Sequence, residues 1–202
     1  DRWVLRGFDA TINQALPDKI GQSTGRGTPL DVIASPDGSK IFVATDTELH
    51  AFDRNSWGSA SAYGFDKPFD WMPDDLASNY TNRLLAMSPD GAELYLLRHD
   101  GASQVIDVLS PNRLEKIRTI LVSRPDFPFM IATAGTQRAM NVVQDNVIQT
   151  WIGDTVEGAV FDQTIAAATA LPNSDNVLVV VGSSVWQYNA ITHSQEKLLD
   201  LT

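Results

Sequence analysis

Cysteine is absent from the 202-residue chain. Without thiols the chain has no thiolate nucleophile, no disulfide framework, no CxxCH haem attachment and no Cys-ligated zinc. It also lacks any apolar run near the roughly 18 residues that a membrane-spanning helix requires, which predicts no insertion into a membrane. The phosphate-binding pattern GxxxxGK[ST] and the dinucleotide pattern GxGxxG are missing too. These absences remove several common classes of enzyme.

Basic clusters are missing as well. The chain carries 25 acidic and 15 basic residues, a net charge of −10, and its pI is about 4.6. A nucleic-acid binder needs a basic face that releases phosphate counterions, so the sequence predicts no nucleic-acid partner. Attraction to anionic membranes is disfavoured for the same reason. The hydrophobic content of 43% is sufficient for a sizeable core.

Two segments of the chain repeat one another. Pro29 to Asp53 and Arg83 to Asp107 each contain an apolar run, then Ser-Pro-Asp-Gly, a β-rich run, a polar break and an apolar run that ends in Asp. Proline fixes φ at the first central position of a turn and Asp-Gly tolerates φ > 0, so the tetrapeptide predicts a hairpin turn. Bulky β-branched or aromatic residues follow each turn, as strands prefer.

Weaker copies follow, one through Ala134-Gly135 and one through Pro172 to Asp175. A fourth strand is predicted at the end of each copy, near 59–63, 115–121, 158–161 and 196–201. The turn signal recurs after about 53, 45 and 39 residues, which is typical of propeller blades of roughly 40–50 residues. We therefore predict an all-β protein that forms part of a β-propeller. An ordinary β-sandwich with fortuitous similarity is the alternative.

The repeat divides the chain into half a blade and four whole blades. Val4 to Asp9 has the form of a third strand, with a fourth strand expected near 15–22. The predicted boundaries are a half blade and linker at 1–28, blades at 29–64, 83–121, 128–161 and 164–202, and an insertion at 65–82. A start in mid-blade predicts that the remaining blades belong to a longer parent chain or to a second copy. The alternative is an irregular start that caps a four-bladed ring.

The repeated unit resembles a known family. Its Ser-Pro-Asp-Gly turn and its closing triplets, Ala51-Phe52-Asp53 and Val105-Ile106-Asp107, resemble the YVTN-type bacterial propellers of the quinoprotein amine dehydrogenase-like group. The resemblance covers most of the chain, with clean motifs in the first two whole blades. It implies the fold more than the function, because the group includes lactonases, dehydrogenase subunits and cell-surface repeat proteins. A bacterial extracytoplasmic location (periplasmic, secreted or at the cell surface) is the corresponding expectation.

Blades of this kind separate their loops into two faces. Turns between second and third strands share the channel-mouth face with the connections between blades, whereas the Ser-Pro-Asp-Gly turns lie opposite. The predicted channel-mouth candidates are Asp46, His99, Asp100 and Asp145.

One connection between blades is unusually long. Residues 64–82 exceed the typical connection of about 4–6 residues, and such insertions are often functional. The candidate partner-binding residues here are Phe65, Phe69, Trp71, Met72 and Tyr80. Aromatic residues and Met are enriched at interfaces, although the same side chains could instead cover the channel or a blade edge. Arg124 and Phe127, in the connection 122–128, extend this prediction; a rigid proline-bounded linker is the alternative there.

Metal and cofactor sites are not predicted. The carboxylates of Asp66, Asp70, Asp74 and Asp75 fit neither the EF-hand nor the RTX spacing. The three histidines show no HxH or HxxxH pattern, which argues against zinc. We assign no catalytic residue, no metal and no cofactor.

Three functions compete at this stage. The leading hypothesis is a non-catalytic propeller module that binds a protein or a glycan as part of a larger bacterial extracytoplasmic or surface protein. The second is a fragment of a lactonase or dehydrogenase-subunit enzyme, with His99, Asp100, Arg124 and Asp145 converging at the channel mouth. The third is a structural spacer.

Overall fold

The computed structural model describes residues 8–9, 14–15, 28–56, 59–64, 84–100, 103–122 and 129–201. These ranges contain eighteen β-strands and no helix, so the prediction of an all-β protein is confirmed. Within them no helix is long and apolar enough to cross a membrane.

The strands form four antiparallel four-stranded sheets, here called blades 1 to 4, and one two-stranded sheet. Blade 1 contains β3 (Pro29–Ala34), β4 (Lys40–Thr45), β5 (Glu48–Asp53) and β6 (Ser59–Gly64). Blade 2 contains β7 (Leu85–Met87), β8 (Leu94–Asp100), β9 (Ser103–Leu109) and β10 (Lys116–Val122). Blade 3 contains β11 (Phe129–Ala134), β12 (Arg138–Gln144), β13 (Val147–Ile152) and β14 (Thr155–Val160). Blade 4 contains β15 (Ile165–Ala170), β16 (Asn176–Val181), β17 (Ser184–Asn189) and β18 (Gln195–Asp200). The two-stranded sheet pairs β1 (Phe8–Asp9) with β2 (Gln14–Ala15).

The Ser-Pro-Asp-Gly segments form the turns between first and second strands. The amide of Gly38 donates to the carbonyl of Ser35 at 2.8 Å, and the amide of Gly91 donates to the carbonyl of Ser88 at the same distance. Gly38 has a φ of 67° and Gly91 a φ of 71°, in the left-handed region that costs a side-chain-bearing residue free energy. Glycine is therefore the residue that closes each turn.

The two aspartates that end the closing triplets do not occupy equivalent positions. Asp53 pairs with Lys40 at the end of β5, whereas Asp107 pairs with Leu96 in the middle of β9. The β8–β9 hairpin has longer strands, and this displaces the sequence along the third strand. The position equivalent to Asp53 in blade 4 is Asn189, which pairs with the first residue of β16. The two closing triplets are similar in sequence, but the prediction that they occupy equivalent positions in their blades is wrong.

The core lies between consecutive blades. Phe42 and Leu49 of blade 1 pack in one cluster with Leu94 and Leu96 of blade 2. A second cluster joins blades 2 and 3, and a third joins blades 3 and 4. The first strands of neighbouring blades also contact one another. Because alternate side chains of a strand point to opposite faces, one blade can serve two such clusters.

The blades have two loop faces, which we name by their contents. The connection face carries the turns between second and third strands together with the connections between blades. Hydrogen bonds join these two kinds of loop, since the amide of Phe161 donates to the carbonyl of Asn146 at 2.8 Å and the amide of Leu201 donates to that of Ser183 at 2.6 Å. The turn face is opposite and carries the first-to-second and third-to-fourth turns.

Blade 4 is covered on one side. Val177 and Val179 are fully buried against blade 3. The alternate residues Leu178 and Val180 are only half-buried, and Leu199 on β18 is 50% exposed. The side of blade 4 away from blade 3 is therefore a partly open apolar surface.

Candidate functional site

The predicted aromatic surface and its neighbours fall outside the described residues. These are Phe65, Phe69, Trp71, Met72, Tyr80, Arg124 and Phe127. Their assignment as partner-binding residues stays a prediction. Of the channel-mouth candidates, His99 and Asp100 form the last two positions of β8.

Asp46 and Asp145 lie in second-to-third turns of the connection face, and both bind neighbouring loops. Asp46 Oδ1 accepts a hydrogen bond from the amide of Thr28 at 2.8 Å. Asp145, in the left-handed region with a φ of 50°, accepts from the hydroxyl of Thr164 at 2.7 Å. Its carbonyl also accepts from the amide of Ile165 at 2.7 Å. Both carboxylates therefore hold the start of a first strand against a turn.

A serine motif occurs near the N-terminal end of the sequence. Residues 21–25 have the spacing Gly-x-Ser-x-Gly, but this segment lies outside the described residues.

A polar cleft lies between blades 1 and 2 on the turn face. Its cavity measures about 340 Å³ and is lined by Ser35, Pro36, Asp37, Ser39, Lys40, Pro89, Asp90, Gly91, Pro111 and Asn112. Asp37 accepts hydrogen bonds from the side chains of Ser35 and Ser39, and these bonds lower its pKa to about 2. Lys40 Nζ donates to the Asn112 side chain at 2.9 Å and to the carbonyl of Pro111 at 3.2 Å. Asp37 and Lys40 thus already form hydrogen bonds with other groups of the protein.

Turn-to-turn contacts continue along this face. Arg138 at the start of β12 forms an ion pair with Asp90 in the first turn of blade 2. Asp175 in the first turn of blade 4 accepts hydrogen bonds from the amide of Thr136 at 2.9 Å and from its hydroxyl at 2.8 Å. Gly135 lies so close to Asp175 that a Cβ would come within 2.5 Å of its backbone nitrogen. Charged turn residues therefore fix each blade to the next.

Asp107 is the centre of a buried polar cluster between blades 1 and 2. Its side chain is fully buried, and Arg98 Nε donates to it at 2.5 Å. Thr119 donates from β10 at 2.7 Å, and Tyr63 donates from β6 of blade 1 at 2.9 Å. Burial alone would raise the pKa of Asp107, but the bonds from Arg98, Thr119 and Tyr63 lower it below its ordinary value. The carboxylate is therefore held in its charged form.

A second polar chain joins blades 3 and 4. Thr150 donates to Asn141 Oδ1 at 2.8 Å and shares a hydrogen bond of 2.8 Å with the hydroxyl of Tyr188. The Tyr188 hydroxyl lies 2.8 Å from His193 Nδ1, and His193 Nε2 lies 3.2 Å from a Glu157 carboxylate oxygen. Burial raises the pKa of Tyr188. The chain thus leads from the buried interior at Asn141 to the surface at Glu157.

This chain ends at a smaller cavity on the turn face. The cavity measures about 200 Å³ and is lined by Gln137, Thr150, Ile152, Thr155, Glu157, Ile191 and His193. His193 lies in the third-to-fourth turn of blade 4 and has a φ of 56°. Sequence reasoning missed its partners, because Tyr188 and Thr150 are brought to it by packing between blades.

Clusters of potential metal ligands were sought among the described residues. Within the described ranges no group of three or more His, Asp or Glu side chains is placed to hold an ion. The acidic segment with Asp66, Asp70, Asp74 and Asp75 lies outside those ranges.

Comparison with known proteins identifies the fold. No family model and no curated protein matches the sequence. Among solved structures, the RRP9 WD40 repeats align with a TM-score of 0.60 and 15% identity, covering 86% of this chain and 52% of that one. The WD40 domain of SCAP from fission yeast aligns with a TM-score of 0.60 and 15% identity, covering 86% and 45%. The Kuenenia stuttgartiensis hydrazine synthase aligns with a TM-score of 0.58 and 17% identity, and the alignment covers 88% of this chain and 52% of that one.

These likenesses show a β-propeller, and the prediction of fold class is confirmed. The chain spans about half the length of the solved structures that it resembles. At such low identity the likeness shows the fold and leaves the function open.

Proposed function

We propose that this chain is a non-catalytic β-propeller module that binds a protein or a glycan and belongs to a larger bacterial extracytoplasmic or surface protein. The observation that carries the proposal is the use of polar groups. Asp46, Asp90, Asp107, Asp145 and Asp175 all hold one strand or blade against another. Such a rigid scaffold is suited to presenting loops as a recognition surface.

The YVTN-type resemblance supports a location outside the cytoplasm, because that group includes cell-surface repeat proteins. The partly open side of blade 4 supports a further blade as an additional partner, supplied by the parent protein or by a second copy. Three blade-to-blade clusters in this chain provide the pattern for such a contact. The full-length parent sequence would distinguish a surface module from an enzyme. Further blades followed by adhesin-like or anchoring segments support a surface module. A lone seven-bladed chain instead favours the enzyme.

The competing enzyme hypothesis relies on His99, Asp100, Arg124 and Asp145. The Asp145 carboxylate accepts a hydrogen bond from Thr164, which argues against a catalytic role for it.

The aromatic insertion provides the direct test of binding. In Trp71→Ala and Phe69→Ala, the loss of an interface hot spot should weaken binding by about 2 kcal/mol, close to thirtyfold, with an unchanged thermal midpoint. Binding is measured as retention of a protein from parent-cell extract or of a glycan from an array. Leu121→Ala, which alters a residue 64% exposed on β10, is the control and should bind normally.

The opposite result has a clear signature. If the aromatics cover the channel, Trp71→Ala should cost about 3–5 kcal/mol of folding stability. A loss of that size would contradict the recognition surface.

A further inference from the structure

Two cavities on the described part of the turn face differ in how far their polar groups are satisfied. In the cavity between blades 1 and 2, Asp37 and Lys40 are both occupied by hydrogen bonds within the protein. In the cavity between blades 3 and 4, the side chains of Gln137 and Thr155 make no hydrogen bond to any described residue. Glu157 is 64% exposed and uses one carboxylate oxygen toward His193. The smaller cavity therefore keeps acceptors available to a ligand.

Glu157 is held in place by a buried support. His193 is 19% exposed, and its two ring nitrogens face Glu157 and Tyr188. Tyr188 is fully buried and is itself bound by Thr150. Recognition groups work best when a second set of residues fixes them, because little ordering is then needed on binding.

The size of the cavity limits the ligand. Sites for whole small molecules measure about 300–1,000 Å³, whereas this cavity measures about 200 Å³. It is thus suited to a single side chain. Ile152 and Ile191 on its lining offer apolar contact to an aliphatic stem, and long cationic side chains bury such stems while their charged ends stay in polar surroundings.

The charge of the site selects a cation. Glu157 is the acidic residue of the lining, and no described lining residue is a lysine or an arginine. The chain as a whole has a net charge of −10, which attracts basic partners over a distance. Hydrogen bonds between a cation and a carboxylate are about twice as strong as neutral ones.

We propose that this cavity receives a lysine or arginine side chain from a protein partner, with the Glu157 carboxylate binding its charged end. The proposal rests on the proposed protein-binding function and adds the chemistry of one contact.

The test uses a short peptide as the probe. Acetyl-Gly-Lys-Gly-amide is titrated into the ¹⁵N-labelled chain at low salt, and amide shifts are followed by NMR. We expect saturable shifts at residues 152–157 and 191–193, and a Kd about tenfold weaker in Glu157→Gln, since the charge of the acceptor is lost. Glutamine has nearly the same shape as glutamate, and an unchanged thermal midpoint verifies the fold of the variant.

Matched controls make the result specific. Glu115→Gln alters a carboxylate of similar exposure, 68%, on blade 2. This variant should bind the peptide as tightly as the unsubstituted chain does. A peptide with norleucine in place of lysine should give no saturable shifts. Equal binding of the lysine peptide by Glu157→Gln, or saturable shifts with the norleucine peptide, would overturn the proposal, as would shifts located elsewhere. The Trp71 and Phe69 variants test the binding function separately, so failure of the cavity and failure of the function are distinguishable.

Discussion

Two interfaces of this propeller bury polar groups in different ways. Between blades 1 and 2, the buried group is a charged carboxylate, Asp107, with Arg98 beside it. Between blades 3 and 4, the buried groups are the uncharged side chains of Asn141, Thr150 and Tyr188. Both clusters are hydrogen-bonded, as buried polar groups need to be. The interfaces therefore satisfy the same requirement with different chemistry.

This difference predicts at which interface a single substitution will destabilise the protein more. Removing one partner of a buried ion pair leaves a desolvated charge, whereas removing one hydroxyl from a neutral chain leaves a smaller penalty. We therefore expect the interface of blades 1 and 2 to be more sensitive to truncation, although the clusters have comparable numbers of hydrogen bonds.

Asp107→Ala should have the largest effect. The variant leaves Arg98 without its buried carboxylate and should lower the free energy of unfolding by about 3–5 kcal/mol. Chemical denaturation with urea measures the change. Asp154→Ala, which truncates an exposed turn aspartate of blade 3, is the control and should stay within about 0.5 kcal/mol of the parent.

A double variant sharpens this prediction. Replacing Arg98 and Asp107 together by leucine removes both charges, so it should recover most of the loss. A double variant as unstable as Asp107→Ala would show that the cost arises from shape instead of from loss of the ion pair.

Acidification should produce an intermediate effect at the same interface. The pKa of Asp107 is lowered in the folded protein, so its contribution to stability is complete above the ordinary aspartate pKa of about 3.9. That contribution is lost as the pH falls from there toward the folded-state pKa. The thermal midpoint should thus fall more steeply below pH 4 in the parent chain than in Asp107→Asn. Parallel curves for the two proteins would contradict the assignment.

Tyr188→Phe should have the smallest effect of the three. It removes the hydroxyl that links Thr150 to His193 and should cost about 1–2 kcal/mol. Thermal denaturation measures the change, with Thr155→Val as the control because Thr155 is exposed. A loss as large as that of Asp107→Ala would abolish the contrast between the two interfaces.

The sequence predicted the elements of the fold better than their register. Turn residues and β-rich runs are local signals, so the Ser-Pro-Asp-Gly turns and the strands after them could be predicted from the sequence. The likeness of Asp53 and Asp107 was misleading, because the longer β8–β9 hairpin shifts one third strand relative to the other. Spacing along the chain does not report such a shift.

The sites were harder to predict from the sequence than the fold, because they form between blades. Thr150 and Tyr188 are ordinary strand residues in the sequence, and packing of blade 4 on blade 3 brings their hydroxyls within 2.8 Å. Asp145 was predicted at the channel mouth from its turn, yet its contact with Thr164 depends on the following connection. Turn position was predictable, whereas the partner of each side chain was not.

The unlike clusters also bear on folding. A chain of similar sheets risks joining the wrong neighbours as it folds, which is a known failure of repeat proteins. If the surface that carries Asp107 met the one that carries Asn141, a carboxylate would be buried without Arg98, Thr119 and Tyr63 arranged around it in the native way. Interfaces of different polarity penalise such pairings. The different polarity of the two clusters therefore favours the native pairing of blades over an exchanged one.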